Sequence, residues 1–121
     1  MAEPFYITTP IYYVNAKPHL GHAYTTIVAD ALARFHRLMG DDTRFQTGTD
    51  EHGDKVMEAA RKVDLPVKDF VDRISGSFRQ TWDELDISYD VFVRTTQASH
   101  QWLVRNILSQ LYDQGDIYFG E

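Results

Sequence analysis

Cysteine is absent from this chain of 121 residues, which removes disulfide scaffolds, thiolate zinc sites and cysteine nucleophiles together. No apolar run approaches the ~18 residues of a membrane span, and no basic-then-apolar leader opens the chain, so a cytoplasmic protein with no membrane partner is expected. Positive charge is also scarce: 12 Lys and Arg stand against 18 Asp and Glu, a net charge of -6. The first forty residues hold three basic and two acidic side chains; the rest holds nine against sixteen, so the deficit lies wholly after residue 40. A surface that negative repels a phosphate backbone over much of its area. The near-neutral first third is where an anionic small ligand meets least repulsion.

What is present is a core-former. Hydrophobic residues make up 43% of the chain and aromatic ones 13%, which excludes disorder and low complexity, and the length suits one domain. Residues 5–8 (FYIT) are short and β-rich, and the Thr-Pro pair after them stops a first strand. From His22 to Met39 the apolar residues Tyr24, Val28, Leu32, Phe35 and Met39 recur at steps of three and four, and Gly40 follows at the C′ position. That spacing predicts a helix of about five turns. Residues 43–48 (TRFQTG) read as a second strand, which makes the first third one parallel βαβ unit.

Beyond Gly53 a short helix is expected to about Val63, and Pro66 suits the first turn of the next. There Val67, Phe70, Ile74, Phe78, Trp82 and Leu85 share a face, with Gly76 as a weak point in its middle. Residues 91–94 (VFVR) suggest a third strand. Leu103, Ile107, Leu108 and Leu111 form the apolar face of a last helix ending at Gly115, and residues 117–119 read as the start of another strand. The order favours an α/β fold, a parallel sheet covered by helices.

Two stretches carry chemistry. Strand one leads through residues 9–18 into His19-Leu20-Gly21-His22, which opens the long helix. The carboxyl end of a first parallel strand, followed by a helix N-terminus, is where an α/β fold binds phosphates, because unpaired N–H groups and a partial positive charge point there. Imidazoles three residues apart at that place can both donate to one phosphate group, and Gly21 lets a base or ribose approach the backbone. The alternatives are a metal pair, with Asp50 or His52 the nearest further ligand, or a helix cap or satisfied surface side chain. Tyr12 reads as a packing aromatic. The second stretch, Gly48-Thr49-Asp50-Glu51-His52-Gly53, ends the second strand beside the first loop. Asp50 there can hold an ammonium by a charge-assisted hydrogen bond; the alternative is a polar turn with Asp50 or Glu51 capping the next helix.

These residues resemble a known family. ITTPIYYVNAKPHLGHAYTTIVADALARFHRLMG, followed by TGTDEHG, is similar to the amino-terminal part of bacterial methionyl-tRNA synthetases, which are class I aminoacyl-tRNA synthetases. The likeness continues more weakly through FVDRISGSFRQTWDELDI and FVRTT to DIYFGE. The resemblance implies the first half of a Rossmann-like nucleotide-binding fold, with residues 1–121 ending before the family's connecting insertion. It implies that His19 and His22 bind ATP phosphates, that Gly21 lies beneath the adenosine and Asn15 near the nucleotide, that Ile11 and Tyr13 line a methionine pocket, and that Asp50 takes the amino group. ATP and Mg²⁺ are the implied cofactors, methionine and tRNA the implied partners. The family's lysine-bearing loop, zinc knuckle and anticodon-binding domain are not in this segment, so zinc and most tRNA contact are expected elsewhere. A small nucleotidyltransferase using the same His-x-Gly-His helix start, or a non-catalytic binding module, are the competing readings.

Overall fold

A computed structural model describes residues 2–120. Four parallel strands and four helices follow in the order β1 (Pro4–Thr8), β2 (Tyr12–Tyr13), α1 (Leu20–Met39), β3 (Asp42–Asp50), α2 (Asp54–Lys62), α3 (Val67–Glu84), β4 (Val91–Arg94) and α4 (Ala98–Asp113). The long β3 is central: β1 and β2 lie along one edge of it and β4 along the other, all parallel. Parallel pairing of β1 with β3 across α1 is the βαβ unit expected from the sequence.

The β1/β2 edge carries a bulge that decides which side chains face the site. Thr8 lies opposite Gln46 and Tyr12 opposite Thr49, so the edge strand advances four residues while β3 advances three. One inserted residue reverses the alternation of faces. Phe5, Ile7 and Thr9 turn toward the helices before the bulge; after it Tyr12 and Val14 are the buried ones, and Ile11 and Tyr13 are left 42% and 41% exposed on the other face. The two-residue β2 was not legible as a strand, because alternation is interrupted at Pro10.

The core lies on one side of the sheet. Tyr12, Val14, Phe45 and Phe92 meet Ala29 and Ala33 of α1, Phe70, Ile74, Phe78 and Trp82 of α3, and Val56 and Ala60 of α2. Tyr12 is thus the packing aromatic expected, stacked on Phe78 at 5.7 Å between ring centroids. Helix α3 runs unbroken through Gly76 because its apolar stripe buries three aromatic rings, far outweighing the ~1 kcal/mol that one glycine costs.

Helix α1 ends as its sequence indicates: Gly40 is left-handed (φ 89°), its N–H reaches the Arg37 carbonyl at 3.1 Å, and the Asp41 N–H reaches that of His36 at 3.0 Å. Its buried face, however, is not the large apolar stripe that marks it in the sequence. Thr26, Ala29, Asp30 and Ala33 are buried against the sheet, whereas Tyr24, Phe35 and Met39 are 72%, 54% and 64% exposed. Small residues let the helix axis come close to the strands, and Asp30 accepts hydrogen bonds from the Ser88 N–H (2.7 Å), the Ser88 hydroxyl and Arg34. The apolar face of α4 is likewise half exposed, with no buried residue. The strand expected at residues 117–119 is not formed: left-handed Gly115 ends α4, and Tyr118 and Phe119 are 81% and 99% exposed in irregular backbone without strand partners.

Candidate active site

The site forms where β2 and β3 end and α1 begins. His19 has extended backbone and is the N-cap of α1; its Nδ1 accepts the Gly21 N–H at 3.1 Å, while the Nδ1 of His22 accepts the His19 N–H at 3.2 Å. This is a capping box in which imidazoles do the work usually given to a hydroxyl and a carboxylate. The capping alternative is therefore realised, and it is compatible with phosphate binding. A ring nitrogen that accepts a backbone N–H is unprotonated, so in each neutral imidazole the proton sits on Nε2. The box presents two Nε2–H donors. The rings stack, 3.7 Å between centroids and 21° apart.

Helix α1 has no acidic residue in its first turn, so its dipole is left available to an anion. His22 is backed by Tyr12 and Phe78 at 4.8 and 5.1 Å between ring centroids. Burial first, and repulsion from His19 second, hold its pKa below the ordinary histidine value, so it is a neutral donor at pH 7. Gly21 has a role that sequence reasoning did not supply: the His19 ring folds over it, and a Cβ there would meet His19 Cε1 at 3.0 Å.

Asp50 is in register with Tyr13, and both point to the open face of the sheet. Its carboxylate accepts only a long bond from the His52 N–H, at 3.5 Å, and no cationic side chain among the described residues pairs with it. The Tyr13 hydroxyl lies over Gly53, where a Cβ would come within 2.5 Å of it. Neither Asp50 nor Glu51 caps α2, whose N-cap is Gly53 with no side-chain bond. The clefts divide the remaining residues. Tyr13 and Asn15 line one of about 540 Å³ with Asp54 and Lys55; Ile11 lines another of about 360 Å³ with Gln46, Val93, Gln97 and His100. No three ligating side chains converge as a metal set among the described residues.

Sequence reasoning missed a charged cluster behind Asp50. Glu51, whose side chain is wholly buried, accepts Arg94 Nε at 2.7 Å and Nη2 at 3.0 Å, the Thr49 hydroxyl at 2.8 Å, and the Thr96 hydroxyl. Burial alone would raise the Glu51 pKa, but these hydrogen bonds and the Arg94 charge outweigh it and hold the carboxyl below its ordinary value. The available signal was the placement of an acid and a cation at the carboxyl ends of what become neighbouring parallel strands.

A parallel sheet covered by helices, whose first strand leads into a histidine-capped helix, has the Rossmann-like architecture of the class I aminoacyl-tRNA synthetases. The solved structures agree. The Mycobacterium tuberculosis methionyl-tRNA synthetase in complex with methionyl-adenylate superposes with a TM-score of 0.93 at 46% identity, over 96% of this chain and 23% of that one. The Agrobacterium radiobacter K84 LeuRS–tRNA–LeuAMS ternary complex shares the fold, with a TM-score of 0.90 at 24% identity over 97% of this chain and 15% of that one. The model of the tRNA synthetases class I (M) family matches residues 5–121, and the chain belongs to that family. Among curated relatives, the methionine–tRNA ligases of Campylobacter jejuni and Caldanaerobacter subterraneus are 53% and 54% identical over 116 and 121 residues, or 96% and 100% of this chain. The chain spans 18% and 19% of the lengths of those two proteins.

Proposed function

We propose that residues 1–121 are the amino-terminal half of the catalytic domain of a methionine–tRNA ligase, supplying part of its ATP and methionine sites. The reaction joins methionine to ATP: a carboxylate oxygen of methionine attacks the α-phosphorus, the bond to the bridging oxygen breaks, and pyrophosphate leaves methionyl adenylate. The terminal adenosine hydroxyl of tRNA then attacks the acyl carbon and AMP departs. No protein nucleophile is needed, so catalysis is positioning and stabilisation of charge on the phosphoryl oxygens.

The observation that carries this reading is the His19–His22 capping box, in which both Nδ1 atoms accept backbone N–H groups and so leave each Nε2–H as a donor. They and the α1 dipole are the groups we assign to ATP phosphates, with Gly21 beneath the adenosine and Asn15 beside the nucleotide. Asp50, with no cationic partner among the described residues, is assigned to the methionine ammonium, and Ile11 and Tyr13 on the same open face to its side chain. Mg²⁺ would accompany ATP and neutralise its phosphates; with no convergent ligand set among the described residues, none of these side chains is assigned to hold it. The cysteine-free sequence offers no thiolate set for zinc, which we place, with most tRNA contact, outside this segment. No helix among the described residues is long and apolar enough to cross a membrane, and a cytoplasmic setting fits a partner such as tRNA.

In the full-length ligase, His22→Ala is expected to lower methionine-dependent exchange between pyrophosphate and ATP about a hundredfold, ~3 kcal/mol of activation free energy. Unchanged exchange would refute the role. The 121-residue chain alone is expected to give no exchange.

A further inference from the structure

Among the described residues the Asp50 carboxylate has only the long bond from the His52 N–H, so its placement depends on the main chain of residues 49–52. Strand alternation sends Asp50 to the open face while Thr49 and Glu51 turn into the helix side, where they are buried. The segment is tied at Thr49, Glu51 and His52. The Thr49 hydroxyl meets Ser75 of α3 at 3.0 Å, the Glu51 N–H donates to Thr95 Oγ1 at 2.9 Å, the Thr95 N–H donates to the Thr49 carbonyl at 3.2 Å, and His52 Nδ1 lies 3.1 Å from Thr95 Oγ1. Arg94 is the cation at the centre: it grips the buried Glu51 carboxylate through two nitrogens and also bonds Asp72 of α3, whose carboxylate takes Lys68 at 2.7 Å. The neighbouring cleft of about 500 Å³ is lined by Val67, Val71 and polar side chains besides Glu51, Lys68, Asp72 and Arg94, and each of those four charges is paired with another of them.

We propose that Arg94 is a positioning residue for methionine recognition, fixing Asp50 by neutralising Glu51 from behind. This rests on the assignment of Asp50 to the methionine ammonium. Arg94 lies on the opposite side of the sheet from Asp50 and touches no substrate. Without it, a buried carboxylate loses its counter-charge and either takes up a proton or draws water, and both rearrange the segment that carries Asp50. A displacement of about 1 Å at a substrate-holding group is worth up to a hundredfold. The His19–His22 box is tied to α1 and is unaffected, so the nucleotide half of the site is spared.

The test is steady-state pyrophosphate exchange by the full-length ligase, with methionine and ATP varied separately. Wild-type exchange that required no methionine would sink the functional assignment itself, before any variant is read. Given wild-type exchange, Arg94→Ala is expected to raise the methionine KM about tenfold or more while leaving the ATP KM within about twofold. Arg94→Lys, which restores a cation without the two-pronged grip, is expected to recover part of the loss. An unchanged methionine KM, an equal rise in both KM values, or Arg94→Lys no better than Arg94→Ala would overturn the proposal. If Arg94→Ala does not fold, Arg94→Lys decides: a selective rise in methionine KM supports the role and its absence overturns it.

Discussion

Replacing Gly21 by alanine sets two effects of opposite sign against each other. Alanine in place of glycine within a helix ordinarily adds about 0.5–1 kcal/mol of stability. Here the new methyl group would sit 3.0 Å from Cε1 and 3.2 Å from Nδ1 of His19, so the imidazole must give by a few tenths of an ångström. That shift strains its cap on the amide of residue 21, a bond at 3.1 Å whose complete loss would cost about 1 kcal/mol. The two nearly cancel, and overall stability should stay within about 0.5 kcal/mol of the parent. Function should not cancel, because a shifted ring aims its Nε2–H less well at a phosphate, and outright loss of one such donor is worth about a hundredfold in rate. The expected result is therefore a normal melting temperature, faster amide hydrogen exchange confined to the first turn of α1, and pyrophosphate exchange by the full-length ligase reduced by up to about a hundredfold. A more stable protein with undiminished catalysis would show that the His19 ring does not lie over Gly21 in the working enzyme.

Three other substitutions probe the frame. At Gly48 a Cβ would fall 2.1 Å from the Val93 carbonyl oxygen, a backbone atom that cannot rotate aside, so Gly48→Ala should separate β3 from β4 and lower stability by more than about 2 kcal/mol in urea unfolding. Asp64 is left-handed (φ 53°) just beyond α2, and Asp64→Gly should raise the unfolding free energy by up to about 1 kcal/mol. Glu51 has a folded-state pKa below its unfolded one; its contribution is thus complete above the unfolded value of about 4.3 and is lost as pH falls from there through the folded value. Glu51→Gln should flatten that acid limb in a urea-midpoint titration, and an unaltered slope would mean that the carboxylate is not the group titrating.

Much of the site was legible because its signals are local. A strand halted by Thr9-Pro10, a helix entered through His19 and His22 and closed by Gly40, and an acid at the end of the second strand are each set by residues within a few positions of one another. Steric limits on the backbone and the capping of free N–H groups operate at that range. Amphipathic spacing likewise marked α3, since burying Phe70, Phe78 and Trp82 leaves little choice of face.

Tertiary structure decided the rest. The exposure of Tyr13 and Ile11 on the face away from the core follows from one extra residue opposite β3, a register fact invisible until the strands pair. The buried face of α1 was chosen by how closely a helix can approach a sheet, which favours Ala29 and Ala33 over the larger stripe that periodicity picks out. The grip of Arg94 on Glu51 joins residues 43 apart in the chain. Such pairs become energetic neighbours only once a buried carboxylate must find a cation or forfeit its charge.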